Sequence, residues 1–228
     1  MRLIIISSPH FVEKEQEIIS SLFKNGLKIF HVRKPGFSKK EMEDYIREIP
    51  PDYYSSIIIH SHYSLANKYK LKGIHFPTRF RKSYLKTWFT LKSFRHRSPS
   101  YTISASFHRI SELLSARLKY DYVFISPVFQ SISKTNYSPA FKEKDLLAAL
   151  NRSVYDIIAL GGINHDSAGK ALAMGFRGVA CMGAIWKSEE PVKEFIRIRD
   201  RFDQVMTRQI TDCDPSPSRP LDTPVSLT

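Results

Sequence analysis

A chain of 228 residues with 42% apolar side chains can bury a sizeable core as one domain, which excludes wholesale disorder. Thirty-five Lys and Arg against 22 Asp and Glu give a formal charge of +13, which suits nucleic acid, an anionic surface or small phosphorylated ligands. No run of eighteen apolar residues exists to span a membrane, residues 1–10 carry too short an apolar run for a secretory signal, and Cys181 and Cys213 alone make neither a disulfide framework nor a zinc cluster. The chain reads as cytoplasmic.

Short apolar runs alternate with helical patterns from the start. Leu3-Ile4-Ile5-Ile6 reads as a buried strand, and 12–25 carries apolar residues at helical spacing with Gly26 at its stop. A second strand is expected over 27–32. Ser38 then caps a helix, with Glu41 completing a capping box. Further strands are expected over 55–59, 73–76, 101–106, 122–125, 155–160 and 178–182. Helices are expected over 64–71, 108–118, 143–151, 165–174 and 190–206. The segment 77–98 reads as irregular and basic, its cations from Arg79 to Arg97 forming a solvated face. From Thr207 the composition turns to Ser, Pro, Thr and Asp, so 207–228 is expected to be a disordered tail.

Eight strands with helices between them leave an open doubly wound sheet or a closed barrel. Strands this short and continuously apolar favour a single α/β domain over 1–206, a (β/α)8 barrel. Its active site lies at the carboxyl ends of the strands, and those ends are rich in polar groups. Alternation puts His31 and Arg33 on one face after strand two, while strands three and four end in His60 and His75. Strand five gives Ser106 and His108. Strand six runs on to Ser131, Ile132, Ser133 and Lys134, a second anion-binding cluster. The glycines Gly161 and Gly162, with Met182-Gly183 after strand eight, fit the phosphate site of this barrel class.

Each histidine alone reads as a satisfied structural residue. His31, His60 and His75 end three successive strands about 4.8 Å apart and could converge, to carry protons or hold a borderline metal. The favoured assignment places no metal there. His10 and His96 read as solvated.

As a set, these motifs resemble the thiamine phosphate synthase and thiazole tautomerase family over roughly 3–200. The resemblance rests on His31-Val32-Arg33, Gly73-Ile74-His75, Ser106-Phe107-His108, and Asp121-Tyr122-Val123 through Pro127-Val128-Phe129 to Lys134. It rests further on Ala159-Leu160-Gly161-Gly162-Ile163-Asn164 and on Gly178-Val179-Ala180 to Ile185. It implies a TIM barrel that handles a phosphorylated thiazole. By resemblance, Ser131, Ile132 and Ser133 match the loop holding the thiazole phosphate, and Gly162, Met182 and Gly183 its other phosphate contacts. Arg33, Ser106 and Lys134 match the groups that hold a pyrimidine diphosphate, and His75 and Gly161 complete the substrate-binding set.

The departures are as informative. The synthase's glutamine in strand two is His31, and the lysine beyond its arginine is Pro35. Its Asn-Asp pair falls on His60 and Ser61, and its second acidic residue at about Phe80, so both carboxylates for magnesium are missing. The tautomerase branch has no such metal, but its acting histidine is Pro127 here.

The first expectation is therefore a cofactor-free isomerase of a thiazole phosphate, in which His31, His60 or His108 moves the proton and Lys134 and Arg33 stabilise negative charge. The alternative is a divergent synthase joining thiazole phosphate to hydroxymethylpyrimidine diphosphate, with Arg33, Lys34 and Lys134 in place of magnesium, or with magnesium if it still binds. A third is a non-catalytic binding or regulatory barrel whose 79–97 segment docks an acidic partner or nucleic acid. Neither enzyme reading expects a membrane or nucleic-acid partner, and both leave homo-oligomer formation open.

Overall fold

The computed structural model describes residues 1–129 and 141–211. Among them, eight parallel strands close into a barrel in sequence order, with β1 meeting β8 at the seam. The first half runs β1 (Arg2–Ile6), α1 (Glu15–Lys24), β2 (Ile29–Val32), α2 (Lys39–Arg47), β3 (Ile57–Ile59), α3 (Ser64–Lys68) and β4 (Gly73–Phe76). Then come α4 (Thr78–Arg81), α5 (Tyr84–Arg97), β5 (Thr102–Phe107), α6 (Ile110–Leu114) and β6 (Tyr122–Ile125). The last quarter holds α7 (Glu143–Arg152), β7 (Ile157–Leu160), α8 (His165–Ala173), β8 (Gly178–Cys181), α9 (Gly183–Trp186) and α10 (Pro191–Thr211).

The strands are mostly apolar because both faces are dry. Phe30, Val32, Ile57, Ile59, Ile74, Phe76, Ile103, Val123 and Ile125 point outward into the layer shared with the helices. The alternate residues Ile4, Ile6, Ile29, Ile58, Tyr122, Phe124, Ile158 and Ala180 fill the barrel itself. The Ser38 capping box forms as its spacing requires, Ser38 Oγ accepting from the Glu41 N–H at 3.3 Å and Glu41 Oε2 from the Ser38 N–H at 2.7 Å. No helix among the described residues is long and apolar enough to cross a membrane.

The segment 77–98 departs from expectation: it folds as α4 and α5 rather than as an irregular stretch. Apolar residues sit all round α5, so no single stripe betrays a helix. Only Thr87 and Phe94 are fully buried, while Tyr84, Leu85 and Phe89 stay exposed. The final helix α10 also runs to Thr211, five residues past the expected boundary at 206. Residues 212–228 lie outside the described part of the chain.

Closure brings backbones very near one another. Gly73 opens β4 opposite Thr102 of β5, and a Cβ on it would stand 1.8 Å from the Thr102 carbonyl oxygen. At the seam, the Trp186 indole N–H donates to the Ile6 carbonyl at 2.6 Å, tying α9 to β1. Gly73→Ala must push backbone apart rather than shift a side chain. Its unfolding free energy should fall by about 3 kcal/mol or more in urea titration, and a loss below about 1 kcal/mol would contradict the close approach.

Candidate active site at the barrel mouth

The carboxyl ends of β2, β3 and β4 bring His31, His60 and His75 together. Neighbouring register places His31 beside Ile58, two residues before His60, and His75 beside Ser104. His31 Nδ1 and His60 Nε2 lie 2.9 Å apart, and the His60 and His75 rings stack at 4.2 Å. On its far side, His31 Nε2 meets the Tyr122 hydroxyl at 2.6 Å. His75 Nδ1 meets Ser104 Oγ at 2.8 Å, and its Nε2 meets Ser106 Oγ at 2.7 Å. Tyr122 and Ser104 are register partners on β6 and β5, so the neighbours run from His31 through Tyr122 and Ser104 to His75. Phe124 packs against the His31 and His75 rings at 5.1 and 5.0 Å.

These imidazoles are held neutral. Burial pushes His31 down to about 3, and it drives His60 and His75 well below the ordinary histidine value. Arg33 disfavours the charged form of both His60 and His75, and Arg81 adds to this at His75. A group this reluctant to take a proton is a poor shuttle at neutral pH. His108 stands apart, exposed, with Nδ1 on the Ser126 carbonyl at 2.9 Å.

The cations divide into two kinds. Arg33 stands exposed just past the end of β2. Lys34 is buried instead, its Nζ 2.5 Å from Glu15 Oε2, so it is spoken for and cannot neutralise a ligand as expected. Arg81, which no motif singled out, lies beside the end of β5. Its Nε donates to the Ser106 carbonyl at 2.9 Å, its guanidinium lies 3.7 Å from the centre of the Phe107 ring, and it pairs with Glu112 Oε2 at 3.4 Å. Its only advance signal is membership of the basic cluster after strand four.

The glycine turns lie across the mouth. β7 and β8 are neighbours, so Gly161, Gly162, Met182 and Gly183 follow adjacent strand ends. Gly161 and Gly162 have φ of +90° and +68°, and a Cβ on Gly161 would lie 2.8 Å from Pro127 Cα. A Cβ on Gly183 would meet nothing within 4 Å. The amides of Asp166 and Ser167 at the start of α8 are already taken by the Asn164 side chain, which confines an anion to the glycine turns themselves. Ser131, Ile132, Ser133 and Lys134 lie outside the described residues.

Magnesium does not fit the described donors. Ser61 and Phe80, which the resemblance sets against its carboxylates, offer none, and Phe80 stacks on Phe76 at 5.0 Å as ordinary packing. Among the described residues, the group close enough to share an ion is His31, His60 and His75, with no carboxylate in it.

Replacing Tyr122 by Phe tests whether the interior network is structural. It leaves the buried His31 nitrogen without its partner, so Tyr122→Phe should lose about 1–3 kcal/mol of stability in chemical denaturation. An unchanged midpoint would mean that the 2.6 Å contact contributes nothing.

A sequence model of the family described as thiamine monophosphate synthase matches residues 3–185. The chain is 25% identical over 201 residues to the thiamine-phosphate synthase of Dictyoglomus thermophilum, covering 82% of this chain and 83% of that one. It is 25% identical over 181 residues to that of Staphylococcus saprophyticus, covering 76% and 82%. Among solved structures, thiamine phosphate pyrophosphorylase from Bacteroides thetaiotaomicron superposes with a TM-score of 0.70 at 28% identity, over 89% of this chain and 98% of that one. The pyrophosphorylase from Pyrococcus furiosus, at 18% identity and a TM-score of 0.73 over 90% and 96%, shares the fold. With an eight-stranded barrel, polar strand ends at the matching places and a family match over most of its length, the chain belongs to the thiamine monophosphate synthase family.

Proposed function

We propose that this chain joins a thiazole phosphate to hydroxymethylpyrimidine diphosphate, giving thiamine phosphate and pyrophosphate. The observation that carries the reading is the family match over 3–185, together with relatives named for this synthesis. It displaces the isomerase that the histidine-rich strand ends first suggest.

The chemistry agrees with that order. In the transfer, the thiazole nitrogen supplies the electron pair for the new C–N bond, and the C–O pair leaves with the diphosphate. No proton need move at the reacting carbon. An isomerase needs a proton carrier, whereas His31, His60 and His75 are held neutral and Pro127 stands where the tautomerase has its histidine. Neutral histidines are no handicap to a transferase.

The roles follow from position. Gly162 and Gly183, on neighbouring strand ends, bind the thiazole phosphate through backbone N–H groups, with the Ser131 and Ser133 hydroxyls as further ligands by resemblance. Arg33, with Ser106 and Lys134, takes the diphosphate, and Arg81 holds the Ser106 carbonyl in place. His75, fixed by its two serines, walls the mouth between these halves. Magnesium, where a family member binds it, neutralises the departing diphosphate; here that task falls to Arg33 and Lys134.

The purified chain, given both substrates, should release one pyrophosphate per thiamine phosphate formed. Arg33→Gln should lower kcat/KM by about 100-fold with an unchanged melting temperature, because its side chain is exposed. Gly183→Ala should fold normally yet raise KM for the thiazole phosphate, since its methyl enters open space at the phosphate turn. Absence of thiamine phosphate, with proton exchange on a thiazole carboxylate phosphate instead, would overturn the transferase reading.

A further inference from the structure

We propose that His31, His60 and His75 form a three-imidazole site for a borderline divalent transition metal such as zinc or cobalt. Their nearest ligand nitrogens lie within 4.8 Å of one another on three consecutive strands. Two of them, His31 Nδ1 and His60 Nε2, are already 2.9 Å apart. Two nitrogens bound at about 2.1 Å to one tetrahedral ion stand about 3.4 Å apart, so this pair takes an ion once the proton between them moves to an outer ring nitrogen.

The surrounding shell has the form that a metal site needs. A ligating histidine is oriented by a hydrogen bond at its other ring nitrogen. His31 is so held by the buried Tyr122 hydroxyl at Nε2, leaving Nδ1 toward His60. His75 is held by the buried Ser104 at Nδ1, leaving Nε2, now on the half-buried Ser106, for an ion. Desolvation keeps all three imidazoles in the neutral form that binds metals. His60, the partly exposed member, is the adjustable one. Loading draws it out of its 4.2 Å stack on His75 and closes the remaining gap.

The donor set decides the ion. Three nitrogens and no carboxylate reject magnesium and calcium, which want oxygen, and favour zinc, cobalt, nickel or iron(II). Neutral ligands leave both charges of the ion uncompensated, so its remaining positions, reached past His60, suit anionic oxygens. A diphosphate is the ligand class that fits, and that last step rests on the transferase reading. Metal uptake itself does not.

The test is equilibrium dialysis of the full-length, chelator-stripped protein against cobalt(II) chloride, read by metal content and visible absorption. The expected result is one cobalt per chain with the intense bands of a low-coordinate nitrogen site. His60→Ala should lose those bands and bind at least about tenfold more weakly, while His96→Ala, at an exposed histidine outside the trio, should match the wild type. Should His60→Ala fail to fold, X-ray absorption of the cobalt-loaded wild type decides between a three-imidazole shell and an oxygen shell. No stoichiometric uptake, equal binding by His60→Ala, or an oxygen shell would each overturn the site. Cobalt held by the trio without thiamine phosphate formation would instead sink only the transferase role.

Discussion

Closing eight short strands into a barrel turns every second side chain toward an interior that holds no bulk water, and each polar group placed there must find its partner inside. Lower down, this chain meets the constraint with Ile4, Ile29, Ile58 and Ile158. From Tyr122 at the start of β6 up toward the mouth it uses Tyr122 bonded to His31 and Ser104 bonded to His75, both histidines packed on Phe124. The linked set is a floor. Everything a ligand meets stands on it.

From that floor the division of charge follows. The rim carries an exposed cation in Arg33, Arg81 is paired with Glu112, and the imidazoles below stay neutral. Lys34, one residue beyond Arg33, turns away to pair with Glu15 under α2 and lies 4.9 Å from the centre of the Tyr45 ring. Adjacent residues in an extended segment point to opposite sides, so one cation serves the ligand and the next serves the fold. A transferase that handles two phosphorylated substrates wants such an arrangement, because anions are drawn to the rim without charging the floor.

The barrel was legible in the sequence because strands buried on both faces leave continuous apolar runs, and their eightfold alternation with helices has few other solutions. The Ser38 capping box and the glycine turns were legible because each depends on residues within five positions of one another. What escaped was set by long-range packing. Tyr122 looked like a strand residue, yet its hydroxyl lies 2.6 Å from a histidine 91 positions earlier. Lys34 looked like a spare cation until Glu15 was placed against it. α5 was missed because an amphipathic stripe is the signal for a helix, and a helix with only Thr87 and Phe94 fully buried shows none. The ranking of isomerase above transferase failed for a related reason: three histidines suggest acid–base chemistry, and only their burial reveals that they stay neutral.

The seam between β1 and β8 sets an order on synthesis. Arg2, Leu3, Ile4 and Ile5 pair with Gly178, Val179, Ala180 and Cys181, and Trp186 then bonds to Ile6. β1 leaves the ribosome before β8 and therefore waits for nearly the whole barrel before its second edge is covered. Until then, Leu3-Ile4-Ile5-Ile6 offers unpaired backbone and apolar side chains to any other strand nearby. Contacts of such separation make folding slow, and a slow closure prolongs that exposure. In a growing chain the danger of aggregation is concentrated at β1, and it ends only when β8 arrives.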